Sequence, residues 1–499
     1  MYGKKGIHAS TARRRKVGVL AVILWMLFGH SACTWHDIND VAHNFPAHIE
    51  PLLRTACATP GCHTDQSAQG AAGLNLETWE ALFDGAVGGS AVVPYNAEQS
   101  YLLQFLNVDT SWGPVTAPTM PLNGTPLSPL QLQDVIDWIN EGARNAMGEE
   151  RFPPAANRRK WYVVNRGCDL ITVFDAESKQ TMRMIEVGTD EVWTEGPNEL
   201  LMSKDGAHWY TLQYNDYVEQ YSALTDEKVG QILLDDDTYN VGVISEDGRF
   251  MFIVSQLLQQ MSVLDLEAGT QVAGPVAIPH FSNGIALHPS RSQVYLAGVE
   301  SSDIFVYDYD AAGQLLGMQQ IDMVQGRNVP ASGYLWVNDF FFHPNGEVYY
   351  ITCQGTGEIR VVDAANDSVI NVISVAAGPS EFAYDATTNR LFVSCTEEQA
   401  MHGFDPKKRG MIAVVDLGTE TVEQYIYSGF QPHGIAIDPV DRYLVVANRN
   451  VDPNGPVPHH GSSCSGRNGN VALIDLSTLQ VVPGFKPEVS VDPYRVVVK

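Results

Sequence analysis

From Trp161 to the C-terminus the chain repeats one pattern at a period of about 40–50 residues, the range in which arrays and propellers fall. Its clearest unit is a short alternating run that ends in Asp: Ile171–Asp175, Met261–Asp265, Ile304–Asp308, Ile359–Asp363, Ile412–Asp416 and Val471–Asp475. Alternation and β-branched content mark these runs as strands. Each unit also carries an inner strand, a turn, a second strand of the form φ-Tyr-φ-Val and a last strand. Four short strands per repeat form the blade of a β-propeller. The count predicts seven blades. The first begins at its second strand, Trp161-Tyr162-Val163-Val164, so its inner strand is missing. The C-terminal run Pro493–Val498 matches an inner strand, and joining the two closes the ring and removes an exposed edge.

The pair Trp161-Tyr162-Val163-Val164-Asn165 and Ile171-Thr172-Val173-Phe174-Asp175 resembles the YVTN-type propeller repeat, over residues 161–499. That family is functionally diverse, so the resemblance implies a fold and leaves activity to be argued from the site.

Aligning the blades on the Gly of their first turn predicts one residue per blade at the mouth of the channel: Asn198, Asn240, Asn283, Asn338, Ser380, His433 and Tyr494. Such amides either form a polar recognition ring or cap backbone groups and hold water. Glu199, Asp339 and Glu381 face the same mouth, with nothing in the sequence to pair them. Blade seven carries a long insertion, Asn448 to Asn470, with His459, His460 and Cys464. Long propeller loops are often functional. Imidazoles near one mouth make His433, His459 and His460 a candidate second metal or substrate site. Cys395 and Cys464 are expected to pair as a disulfide between neighbouring blades. No Ser/His/Asp order, phosphate loop or paired-carboxylate motif rises above chance.

Upstream lies Cys57-Ala58-Thr59-Pro60-Gly61-Cys62-His63. Covalent haem attachment ordinarily uses two residues between the cysteines and a His directly after the second. Here four intervene and His63 keeps its place. Thioether bonds need two free thiols, iron needs an adjacent imidazole, and a thioether sixth ligand suits electron transfer. Met120, in Thr119-Met120-Pro121, precedes the last predicted helix and suits that role. Met147, His43 and His48 are alternatives. In that helix Ser128 is the N-cap, Pro129 takes the first position, and Leu132, Val135, Ile136 and Ile139 form one apolar face. The other readings of the motif are a Cys57–Cys62 disulfide loop or a zinc site lacking a nearby fourth ligand.

The landmarks from Ile49-Glu50-Pro51-Leu52 through Gly61-Cys62-His63, Gly73-Leu74-Asn75-Leu76, Val92-Val93-Pro94 and Thr119-Met120-Pro121 to Trp138-Ile139-Asn140-Glu141-Gly142-Ala143 resemble a family of exported bacterial cytochrome c domains. The resemblance implies a small all-α fold and one haem c: Cys57 and Cys62 as attachment points, His63 as proximal ligand and Met120 as distal ligand.

The chain opens with Lys4, Lys5, Arg13, Arg14, Arg15 and Lys16, then an apolar run from Val17 to Phe28 that fits a signal peptide core. His30-Ser31-Ala32-Cys33 resembles a lipobox, which makes Cys33 the expected lipidated N-terminus and anchor. Removing residues 1–32, with six basic and no acidic residues, moves the formal charge from −27 to −33. Nucleic acid and anionic membrane surfaces are poor partners for such a chain, and a basic redox protein fits. The predicted organisation is signal peptide 1–32, cytochrome c-like domain 40–148, linker 149–160 and propeller 161–499. The expected function is electron transfer by a cell-envelope lipoprotein, periplasmic or in the outer membrane. An oxidoreductase with a small-molecule substrate or metal at the propeller mouth, and a propeller scaffold with an auxiliary haem, are the rivals.

Overall fold

The computed structural model describes residues 43–190, 192–235, 238–327 and 333–499. The signal segment and Cys33 lie outside them.

Seven antiparallel sheets follow one another along the chain from Lys160 to Val498, as the period predicts. The first has the strand order Pro493–Val498, Lys160–Asn165, Leu170–Asp175, Gln180–Glu186. The C-terminal strand is therefore innermost in blade one, in the register Trp161↔Val498, Tyr162↔Val497, Val163↔Val496. Second and third strands are buried throughout in this blade, while the outer strand is half-exposed. A strand sandwiched between blades on both faces must be apolar on both, which is why its alternation is filled in with Val and Ile.

The Asp that ends most third strands has a local task. Asp265 Oδ1 accepts from the amides of Glu267 and Ala268, Asp416 Oδ1 from Gly418 and Thr419, and Asp475 Oδ1 from Ser477 and Thr478. Each carboxylate satisfies the turn to the fourth strand, as an Asx turn does. Blade four departs from this: its third strand runs on to Tyr309 and Asp310 caps the turn instead.

Blades one and two are joined by a buried polar cluster. Lys160 Nζ donates to Asp226 Oδ2 at 2.6 Å and to the Ala223 carbonyl at 3.0 Å, and Tyr162 Oη donates to Asp226 Oδ1 at 2.9 Å. Burial lowers the Lys160 pKa, and Asp226 partly restores it.

The expectation of an all-α first domain is met only in part. Among the described residues upstream of the propeller there are four α-helices: α1 Glu50–Ala56, α2 Trp79–Leu82, α3 Tyr101–Leu106 and α4 Pro129–Asn140. Two single-turn 3-10 helices, Ala68–Gly70 and Thr110–Trp112, with turns and loops make up the rest. Helix α4 begins with the predicted cap, elaborated into a capping box in which Ser128 and Gln131 satisfy each other's amides, and it buries Leu132, Val135, Trp138 and Ile139. These side chains share one apolar cluster with Leu53, Cys57 and Leu103, and the cluster runs on into blades one and two through Tyr162, Ile171, Met182 and Trp209. Residues 149–159 contain no helix or strand, but Phe152 in them is buried in that cluster.

Two places hold the first domain on the disc. On the outer strand of blade one, Thr181 N donates to Ser90 Oγ at 2.8 Å and Asn96 Nδ2 to the Met184 carbonyl at 3.0 Å. On blade seven, Gln99 Nε2 donates to Ser463 Oγ at 2.9 Å, and the Glu488 amide donates to the Gly88 carbonyl at 2.7 Å.

Deleting residues 493–499 should leave blade one without its inner strand and blade seven without the strand that packs against its own inner strand. Size-exclusion chromatography of the truncated chain should show aggregate in place of monomer; a well-folded monomer would refute closure as a requirement.

Candidate functional site

The cysteine motif sits at the end of α1. The His63 amide donates to the Cys57 carbonyl at 3.2 Å and the Cys62 amide to Thr59 at 2.9 Å, so the four-residue spacer forms a tight loop. Both cysteines are free thiols in this structure. Cys57 is buried and Cys62 exposed; burial, reinforced by the neighbouring Cys62, pushes the Cys57 thiol up to about 11.

His63 Nδ1 lies 3.2 Å from the Leu74 carbonyl oxygen. A carbonyl only accepts, so Nδ1 carries the hydrogen and Nε2 the lone pair. That is the arrangement by which a backbone carbonyl orients a metal-ligating imidazole. The Leu76 amide returns a bond to the His63 carbonyl at 2.9 Å. The Leu74-Asn75-Leu76 landmark is thus the second strap of the motif, a role carried by backbone atoms that residue types do not reveal. Met120 is half-buried against the cluster that holds Cys57, Leu53 and Leu74, and its amide donates to Phe105 at 2.7 Å. Of the alternatives, Met147 is 58% exposed, and His43 Nδ1 is bonded to the Glu77 carbonyl at 2.6 Å. The donor set of two free thiols, an oriented imidazole and a thioether fits a covalently held haem.

The second candidate site lies on the propeller axis. Asn198, Asn283, Asn338, His433 and Tyr494 line one small cavity there, as the blade alignment predicts, while Asn240 and Ser380 do not. Several of the amides serve backbone: Asn198 Nδ2 donates to the Asn240 carbonyl at 2.9 Å and Asn338 Nδ2 to the Ser380 carbonyl at 3.0 Å.

One residue further along each inner strand lies a second ring: Glu199, Val241, Gly284, Asp339, Glu381, Gly434 and Arg495. Here the structure pairs what the sequence left unpaired. Arg495 Nε donates to Glu199 Oε1 at 2.7 Å and its Nη1 lies 3.0 Å from Glu381 Oε1. His433 Nδ1 lies 3.0 Å from the Tyr494 carbonyl and 3.2 Å from Glu381 Oε1. Glycine at 434 is required by close approach, since a Cβ there would lie 2.5 Å from the Tyr494 carbonyl oxygen. Arg495 was identifiable in principle: it occupies the register of the three acids, on the strand that closes the ring.

The charges in this ring are unequal. Burial raises the Glu199 pKa against the pull of Arg495. At Glu381 burial is outweighed by Arg495 and His433, which hold it below its ordinary value. Burial lowers the His433 pKa, against the pull of Glu381. Asp339 accepts from the amides of Phe340 and Phe382, yet burial, with Glu381 beside it, pushes its carboxyl up to about 7.

The expected second metal site is not assembled. His433 stands in the channel on Glu381, whereas His460 is stacked 3.5 Å from the Tyr101 ring of α3 and paired with Glu488 Oε2 at 3.0 Å. Among the described residues no three His, Cys, Asp or Glu side chains gather as metal ligands. The expected Cys395–Cys464 disulfide is also corrected: Cys464 is bonded to Cys168, across the seam between blades seven and one. Cys395 ends a second strand fully buried, where burial pushes its thiol up to about 12. The far part of the insertion, His460 to Cys464, therefore fastens the first domain to the disc.

Residues 60–112 match the family model for planctomycete cytochrome c. The match takes in Cys62 and His63 and stops before Met120. Together with the fold it makes this chain a cytochrome c-like domain followed by a seven-bladed propeller. Antigen Lp49 of Leptospira interrogans is 24% identical over 196 residues, 38% of this chain, and the chain spans 41% of that relative's length. Among solved structures, a functionally unknown protein from Desulfotomaculum acetoxidans has a TM-score of 0.51 at 13% identity, covering 68% of this chain and 98% of its own, which shows the fold alone. Dihydro-heme d1 dehydrogenase NirN matches at a TM-score of 0.46 and 12% identity, over 90% of this chain and 98% of its own; at that score the likeness carries no argument.

Two outcomes follow. Asp339, with an ordinary value of 3.8 and a folded value near 7, contributes stability that is complete below pH 4 and is lost as pH rises through 7. Asp339→Asn should therefore flatten the fall in melting temperature between pH 5 and pH 8; an unchanged slope would show that Asp339 does not titrate there. Cys464→Ser should lower stability by about 2–4 kcal/mol, read as a reduced midpoint in thermal unfolding followed by circular dichroism.

Proposed function

We propose that this protein is an exported c-type cytochrome that transfers electrons, with the propeller as its partner- or substrate-binding module. The observation that carries the reading is His63, oriented by the Leu74 carbonyl so that Nε2 is left as a ligand, beside two free cysteines and on the same core as Met120. The family match over Cys62 and His63 supports it. Bound there, a haem c supplies reversible one-electron transfer at iron. The chain's own part would be to hold Cys57 and Cys62 as thioether anchors, to fix the imidazole by its Nδ1 hydrogen bond, and to supply Met120 from the same core. Covalent haem accords with an extracytoplasmic location, and lipidation at Cys33 would tether the acidic protein to a membrane.

The second reading is an oxidoreductase whose substrate binds at the propeller mouth. It is favoured by the buried Glu199–Arg495–Glu381–His433 cluster, which lies in a cavity and carries more charge than closing a ring requires.

Purified mature protein should retain haem through denaturing electrophoresis and show a c-type absorption spectrum. Cys57→Ala should reduce or abolish the covalent retention. Met120→Ala should keep the haem attached while changing the oxidised spectrum and lowering the potential. Mature protein without covalent haem would overturn the reading. Recovery of radiolabelled palmitate in wild-type protein but not in Cys33→Ser would establish the anchor, and its absence would remove it.

A further inference from the structure

A cleft of about 1070 Å³ runs between the first domain and the propeller. It exceeds the roughly 300–1,000 Å³ that small-molecule pockets span. One wall belongs to the first domain, with Leu103 of α3, Trp112, and Ile136 of α4. The other is built from the outer strand of blade one, with Ile185, and from residues 225–227 of blade two. Trp112, Ile136 and Ile185 pack against the apolar cluster of the joint and are only half-buried there. Cys57 and Met120 belong to the same cluster. Apolar surface left wet in a concave site marks a place for another molecule.

The cations that line the cleft are engaged. Arg144 Nη2 donates to Glu150 Oε1 at 2.6 Å and its Nη1 to the Gly148 carbonyl at 3.2 Å. Arg183 lies 3.8 Å from Glu150 Oε2, donates to the Met182 carbonyl at 2.7 Å and sits 4.4 Å over the Tyr95 ring. Asp226 is held by Lys160 and Tyr162. The remaining acids are not paired. Glu98, Glu186 and Glu227 line the cleft and are exposed, and among the described residues their carboxylates have no hydrogen bond or ion pair. Glu98 stands on the first domain, Glu186 at the end of the outer strand of blade one, and Glu227 on blade two. Five lining carboxylates thus face Arg144, Arg183 and the Lys160 on Asp226, an excess of two negative charges. An apolar floor with unpaired carboxylates on both walls complements a segment that carries basic and apolar side chains together.

We infer that this cleft docks a basic partner protein through a segment rich in lysine or arginine and apolar residues. The apolar side chains lie on Leu103, Trp112, Ile136 and Ile185, and the cations meet Glu98, Glu186 and Glu227. The size of the cleft and the spread of its acids over three elements fit a length of chain better than a single small cation. A partner seated there rests against the core that holds Cys57 and Met120, so the inference deepens the reading of the first domain as an electron carrier and rests on it. It names where the partner binds and adds no chemical step.

The test is calorimetric titration of the full mature protein with a short synthetic peptide of alternating lysine and leucine, and with its glutamate-and-leucine counterpart. The lysine peptide should bind, more weakly as salt is raised, and the glutamate peptide should not. Glu98→Gln, Glu186→Gln and Glu227→Gln combined should weaken the lysine peptide about tenfold. The same change at three exposed acids outside the cleft, Glu177, Glu267 and Glu300, should leave its binding as in the wild type. Trp112→Ala should weaken it in high salt as well, where charge counts for less. The glutamine variants alter only exposed side chains, so they still give a reading if Trp112→Ala does not fold. No binding to the wild type, equal losses in the two glutamine triples, or unchanged binding by folded Trp112→Ala would overturn the inference. The c-type spectrum of the same samples reports separately on the haem: peptide binding without covalent haem would leave the dock and remove the electron-carrier reading.

Discussion

The antiparallel pairing of Pro493–Val498 with Lys160–Asn165 is the contact on which the rest of the molecule depends. A propeller is a closed stack of sheets, and each blade is stabilised by burying its faces on two neighbours. Without the seam, blade one lacks an inner strand and presents unpaired N–H and C=O groups at an edge, while blade seven loses half of its packing. The apolar cluster there joins Trp161, Val163 and Phe174 of blade one to Val445, Val471 and Leu473 of blade seven, with Val496 of the closing strand among them. Because the strand comes from the far end of the chain, closure carries the loop entropy of the whole domain, and the Cys168–Cys464 bond, at a separation of 296 residues, reduces that cost at the same seam.

The closing strand also delivers the chemistry of the axis. Asp492 gathers Arg166 and Arg449, Tyr494 packs against His433, and Arg495 neutralises Glu199 and Glu381. Remove it, and Glu199 and Glu381 would be left buried without the guanidinium that pairs with both. Charge balance in the channel and mechanical closure of the ring are therefore one event, and an open propeller would be electrostatically unsound as well as unpaired.

What was legible in the sequence follows from what repeats. The period revealed the blades, their number, the closing strand and the residues of the inner ring, since each is fixed by local alternation and by a turn. The partner of Cys464 was not legible. Neighbouring blades offered Cys395, but the insertion bends toward blade one, and loop direction has no period. For the same reason His459 and His460 read as channel residues, although His460 in fact stacks on Tyr101 and serves the domain joint. In the first domain only α4 carries a strong helical signal. The straps that orient His63 are backbone carbonyls and amides, invisible to any reading of side-chain types.

The seam finally explains how a cytochrome c-like domain and a propeller can form one object. Gln99 of the first domain bonds Ser463, whose neighbour Cys464 is bonded to Cys168; the Arg166 amide, two residues before Cys168, donates to the Asp492 carbonyl, and Asp492 is two residues from Tyr494 at the mouth. Every link is a covalent bond, a hydrogen bond or a step along the chain. Spatial continuity of this kind is not by itself energetic coupling. What the structure shows is contact: the first domain rests on an apolar cluster continuous with blade one and is bonded to the blade-seven insertion, which opposes its swinging on the connecting segment. On the proposed reading of the first domain as the electron carrier, its placement relative to the channel is the one this packing sets.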